Sequence, residues 1–204
     1  RGLGDVYKRQ IARRLMYWQV YLHKTSLVAE LLLERLLKHA RILTSKGEVL
    51  KTSNSLSYFL NRDSNDINSL DLLKRFALLD DYDIVSSLKE WQNHSDFVLS
   101  DLSSRILNRN LLKIRIQNNP FTQKQINEKI ELLSSAGIRE SDMGNYVFTG
   151  EISNQAYVPD IKTIMILTKS GEVNSLQRHS ELFVGNSFSN MESKFYLCFA
   201  KPIF

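Results

Sequence analysis

The sequence predicts an α+β fold, α-rich at the front and closed behind by a small, mostly antiparallel sheet with one covering helix. Three observations carry this expectation. Residues 11–43 hold neither glycine nor proline, and their leucines recur at nearly every helical angle, which predicts one long helix or two stacked ones, mostly buried. Helical patterning returns three times before Arg109. Beyond Arg109, short apolar runs separated by turn residues take over, the texture of strands.

The elements follow in order. Residues 44–69 are polar, with a break at Lys46-Gly47 and loop chemistry at Asn61-Arg62-Asp63-Ser64-Asn65-Asp66. Helices are expected over residues 68–76, 81–92 and 95–108, the last two opening on Asp or Ser ahead of an apolar period and forming a helical hairpin. Residues 111–117 predict a strand ended by Asn118-Asn119-Pro120. An amphipathic helix over 122–135 stops at Gly137, and strands are expected at 146–152, 163–168, 172–175 and 195–200. Lys169-Ser170-Gly171 reads as a hairpin turn, and a short helix fits residues 181–183. The organisation divides into a helical part, residues 11–110, and an α+β appendage, residues 111–204.

With 204 residues of which 43% are hydrophobic, the chain can bury a real core. No stretch approaches the roughly 20 apolar residues of a spanning helix, so a membrane protein of that kind is not expected. The single cysteine, Cys198, lies in the apolar run Phe195-Tyr196-Leu197-Cys198-Phe199, where a buried thiol is expected rather than a nucleophile or disulfide partner. A reducing, cytoplasmic setting fits. The first ten residues resemble the read-through of a sequencing adaptor and are set aside as non-native, so the natural chain is expected to continue upstream of Ile11. They carry Arg1, Lys8 and Arg9 against Asp5, a net +2 of the total +5, and the +3 that remains is a weak bias toward nucleic acid.

The opening helix carries the most chemistry. At 100° per residue, Arg13, Tyr17, Tyr21 and Lys24 fall within roughly an 80° arc. Such a cationic and phenolic stripe on a buried helix suits a nucleotide and its phosphates, because buried cations need anions and phenols offer directional hydrogen bonds with a flat stacking face. A solvated face with snorkelling side chains is the alternative that the pattern leaves open. Asp80, Asp81 and Asp83 look like metal ligands, yet they precede an amphipathic helix and serve as cap and first-turn charges. His39, His94 and His179 lack the paired spacing of a zinc site, and no histidine is followed by Asp.

Several strings, taken in order, carry a family resemblance: Tyr21-Leu22-His23-Lys24 eight residues after Arg13, then Leu79-Asp80-Asp81-Tyr82-Asp83-Ile84, Ile106-Leu107-Asn108-Arg109-Asn110-Leu111-Leu112-Lys113, and Asn154-Gln155-Ala156-Tyr157 ahead of Ile164 to Gly171. The set resembles the C-terminal part of the HD-superfamily deoxynucleoside triphosphate triphosphohydrolases, bacterial and animal, from Ile11 to Lys201. The resemblance implies substrate-binding roles for three residues. Arg13 would contact phosphate, Tyr17 would stand where a His near the leaving oxygen is frequent, and Tyr21 would pack on the deoxyribose and exclude a 2′-hydroxyl. His23, Lys24, Arg109 and Lys113 match positions that hold an activating nucleotide between subunits. For Arg109 and Lys113, cations complementing a helix C-terminus are an equal alternative on sequence. Leu22, where the animal enzyme has Gln, leaves base choice open.

The implied parent is a metal-dependent hydrolase converting a dNTP, dGTP-like, to deoxynucleoside and triphosphate, and assembling as a dimer or tetramer. Its divalent metal would be held by two His and two Asp upstream of Ile11, so this stretch is expected to supply no catalytic or metal-ligating residue and to be inactive alone. Two other classes stay open. One is an HD phosphohydrolase acting on a different phosphorylated substrate, and the other a non-catalytic module binding nucleotide or single-stranded nucleic acid.

Overall fold

The computed structural model describes residues 8–9, 12, 16, 23–62, 70–154, 165–167, 171–175 and 192–201. Helix α1, Lys24–Ser45, begins sharply because His23 is extended (φ −60°, ψ 135°) and its ring accepts a hydrogen bond from the Thr25 amide. Leu27, Val28, Leu32, Leu36, Ala40 and Leu43 form one buried stripe at three- and four-residue spacing. Over these residues the expectation of a mostly buried helix narrows to one face, since Glu30, Glu34, Lys38 and Arg41 are exposed and Ile42 is 48% exposed. The helix ends at Gly47, whose φ of 91° only glycine adopts without cost.

The polar connector contains a helix that its composition hid, α2, Asn54–Asn61. Ser53 accepts from the Leu56 amide, and Leu56 and Leu60 are buried, the i, i+4 pair that docks α2 on α1. Three helices follow: α3 (Leu70–Ala77), α4 (Asp81–Trp91) and α5 (Phe97–Leu107). Asp80 and Asp83 form a reciprocal capping box at the start of α4, so the acidic trio is used as a helix terminus. Asp96 caps α5 through the Leu99 amide at 2.8 Å. The helices α4 and α5 pack on each other as the expected hairpin, and α5 packs along α1. Leu32, Leu36, Leu88, Trp91, Val98, Leu99 and Leu102 fill the space between them.

Beyond α5 come β1 (Lys113–Gln117), helix α6 (Gln123–Ser135), a 3₁₀ turn (Glu140–Asn145), β2 (Val147–Asn154), β3 (Met165–Leu167), β4 (Val173–Ser175) and β5 (Glu192–Phe199). Thr122 and Gln125 form the capping box of α6, and Gly137, with φ 92°, follows its end. The main sheet has the order β1-β5-β2, antiparallel throughout, with the cysteine-bearing strand at its centre. As expected, α6 packs over this sheet, against β2 and the 3₁₀ turn. Strands β3 and β4 pair separately and antiparallel, as their turn residues predict, with Gly171 at φ 84°. The short helix expected at residues 181–183 lies outside the described residues.

One hydrophobic cluster runs from Val28 of α1 to Ala200 beyond β5. Arg35 is its polar seam. The Arg35 guanidinium lies 3.5 Å from the centroid of the Phe148 ring and donates at 2.8 Å to the Gly144 carbonyl, tying α1 to the sheet. Cys198 is fully buried, and burial pushes its thiol up to about 12, which removes it as a nucleophile at neutral pH.

Candidate functional site

Of the residues singled out for substrate, Arg13, Tyr17 and Tyr21 lie outside the described residues. The four proposed for an effector are all described. His23 is the N-cap of α1 and Lys24 its first residue, both exposed. His23 is extended, so Lys24 opens α1 as its first helical residue.

Arg109 and Lys113 flank the passage from α5 into β1. The chain turns because Arg109 adopts a left-handed backbone, φ 55°, while the Asn110 amide reaches back to the Arg105 carbonyl and the Arg109 amide bonds that of Ile106. Glycine usually holds this position, since a side chain there costs about 1–2 kcal/mol. Both side chains are exposed, and neither has an acidic partner among the described residues. Among the described residues no hydrogen bond or ring contact is recorded between His23 or Lys24 and Arg109 or Lys113.

Two polar constellations were not foreseen. At the first, His39 Nε2 meets Asp96 Oδ1 at 2.8 Å, His94 Nδ1 accepts from the Asp96 amide, and His94 Nε2 stands 3.6 Å from Glu48 Oε2. Partial burial opposes the charge on Asp96, but hydrogen bonds from the Leu99 amide and His39, with the fields of His39 and His94, outweigh it and hold the carboxyl below its usual value. An open cavity of about 500 Å³ lies alongside, lined by Glu48, Ser95, Asp96, Phe97, Gly137 and Arg139. At the second, Arg105 is 6% exposed and pairs with Asp101 at 2.7 Å. Tyr146 lies beside them without a well-aligned hydrogen bond, and burial, reinforced by Asp101, pushes its phenol far above the usual range. The Asp101/Arg105 pair was visible in the sequence as an i, i+4 spacing, whereas His39 and Asp96 stand 57 residues apart with no local signature.

Neither constellation fits a metal. Among the described residues no three of His, Cys, Asp and Glu gather as ligands, and Nε2 of His39 is engaged by Asp96. No helix among the described residues is long and apolar enough to cross a membrane.

No family model matches the chain. It is similar to a phosphohydrolase of Bacteroides thetaiotaomicron, whose crystal structure superposes with a TM-score of 0.85 at 37% identity over 98% of this chain and 51% of that one. A hypothetical protein of Aquifex aeolicus shares the fold at a TM-score of 0.52 and 18% identity, over 97% of this chain and 42% of that one. In sequence the chain is 28% identical over 186 residues to the uncharacterized protein YwfO of Bacillus subtilis, covering 89% of this chain and 41% of that protein. The chain thus spans about half of the length of the Bacteroides protein and about two fifths of the length of the other two.

Proposed function

We propose that this chain is part of a phosphohydrolase whose substrate is a deoxynucleoside triphosphate, dGTP-like, cleaved to deoxynucleoside and triphosphate. The observation that carries the phosphohydrolase part is the similarity to the Bacteroides thetaiotaomicron phosphohydrolase, 37% identical over nearly the whole chain with a TM-score of 0.85. The dNTP part rests on the ordered strings around Tyr21, Asp80, Arg109 and Tyr157 and their family resemblance.

In this reading Arg13 pairs with a substrate phosphate through its forked guanidinium, and Tyr21 packs on the sugar, where a 2′-hydroxyl would clash. Tyr17 stands near the leaving oxygen. His23, Lys24, Arg109 and Lys113 offer cations to the phosphates of an activating nucleotide held between subunits of a homo-oligomer. The left-handed Arg109 supports a functional choice there, because glycine would serve the turn at lower cost. A divalent metal in the parent would polarise the phosphate, and no described residue is assigned to it.

The test is a panel of phosphorylated compounds given, with divalent metal, to a longer protein that contains this sequence. The reading expects triphosphate from dNTPs and little from ribonucleotides. Release of single phosphates, or equal turnover of both sugars, would instead assign another phosphorylated substrate. The chain by itself is expected to release no triphosphate above blank.

A further inference from the structure

A second feature is independent of that reading. Between α2 and α3 lies an open groove of about 490 Å³ lined by Asn54, Ser57, Tyr58, Asn61, Arg62 and Arg75. Its two cations both lie within 6 Å of one phenol ring. The Arg75 guanidinium sits 4.4 Å from the Tyr58 ring centroid and that of Arg62 sits 5.9 Å from it. A guanidinium held against a ring, as Arg75 is, keeps in-plane N–H groups available, and these suit forked contacts to a tetrahedral oxyanion.

The charges are placed for an anion. Asp71 takes the Nε of Arg75 at 2.8 Å, which orients it and leaves its terminal nitrogens without a partner among the described residues. Arg62 has no acidic partner among them either. Its backbone is held from below, since Arg41 Nη2 donates to the Arg62 carbonyl at 2.6 Å. The platform is pinned as well, because Phe59 meets Tyr58 edge-on at 5.4 Å and Phe76 of α3 meets Phe59 at 6.2 Å, so the rings hold the two helices together. The Asn54 amide and the Ser57 hydroxyl supply neutral donors at the same wall.

We propose that this groove binds the phosphate groups of a small phosphorylated molecule, with Arg62 and Arg75 as the charged contacts and Tyr58 as their support. The volume is generous for one phosphate and accommodates two. Recognition is of phosphate itself, whether free or carried on a nucleotide.

The experiment is calorimetric titration of the full chain with inorganic diphosphate at low salt, beside the double variant Arg62→Gln/Arg75→Gln, the variant Tyr58→Leu and the distant control Lys38→Gln, each checked for its fold by circular dichroism. Saturable binding is expected, weakened at least about tenfold in the double variant, weakened less in Tyr58→Leu, unchanged in Lys38→Gln, and falling with salt. Equal affinity in the wild type and the folded double variant, or no saturable binding, would overturn the proposal. A parallel titration with dGTP separates the sources through the component lost in the double variant. An affinity within about threefold of diphosphate supports recognition of phosphate alone, and one more than tenfold tighter contradicts it.

Discussion

Single side chains decide how the sheet and its neighbours close. Gly150 faces Tyr196 across the β2–β5 ladder, and a Cβ there would lie 2.3 Å from the tyrosine oxygen. Tyr196 is nearly buried and has little room to retreat. Gly150→Ala is therefore expected to cost about 1–3 kcal/mol in chemical denaturation, while Gly144→Ala, which meets nothing within 4 Å, changes stability far less. Arg109→Gly should act in the other direction, gaining about 0.5–1 kcal/mol by relieving a left-handed backbone, and a lower melting temperature would contradict the strain inferred there. Asp96 gives a pH dependence. Its folded value lies below the ordinary 3.8, so its stabilisation is complete above that value and is lost as pH falls through the depressed one. Melting curves between pH 6 and pH 2 should show Asp96→Asn losing less stability on acidification than the wild type. Parallel slopes would mean that the carboxylate is not the group responsible.

The helices were legible where termini announce themselves and obscure where tertiary contact decides. Asp80 before Ile84 and Leu88, Thr122 with Gln125, and the glycines at 47 and 137 are local signals, and each marks an observed boundary. Asp80→Ala should cost about 1 kcal/mol and fray the first turn of α4, seen as faster amide exchange at Tyr82 and Asp83; unchanged exchange would remove the cap from the account. Helix α2 escaped notice because Asn54–Asn61 is only two turns long within a stretch read as polar, and its identity depends on Leu56 and Leu60 finding α1. The opposite error touched α1. Leucines at nearly every angle suggested a mostly buried helix, yet one stripe is covered, and Leu31, Leu33 and Leu37 are only half-buried beside it. Helix α3 is the exposed extreme: it buries no side chain, and Leu70, Leu73 and Phe76 stand more than 60% exposed.

At the scale of the molecule, one hydrophobic cluster joins the front helices to the sheet, and Arg35 crosses the seam to Gly144 and Phe148. The α+β class, the helical hairpin, the antiparallel sheet and its covering helix all followed from the period of the apolar residues. Contacts between distant residues did not, because His39 with Asp96 and Arg35 with Phe148 depend on how the elements stack. The proposed substrate residues came from ordered strings rather than from chemistry alone. The proposed function requires the opening segment to grip a triphosphate, so the direct measurement is kcat/KM for triphosphate release from dGTP and GTP by a longer protein carrying Arg13→Gln or Tyr21→Ala. Arg13→Gln is expected to lose about 100-fold on dGTP, and Tyr21→Ala to narrow the preference for dGTP over GTP. Unchanged kcat/KM in the first variant together with unchanged sugar preference in the second would contradict the account.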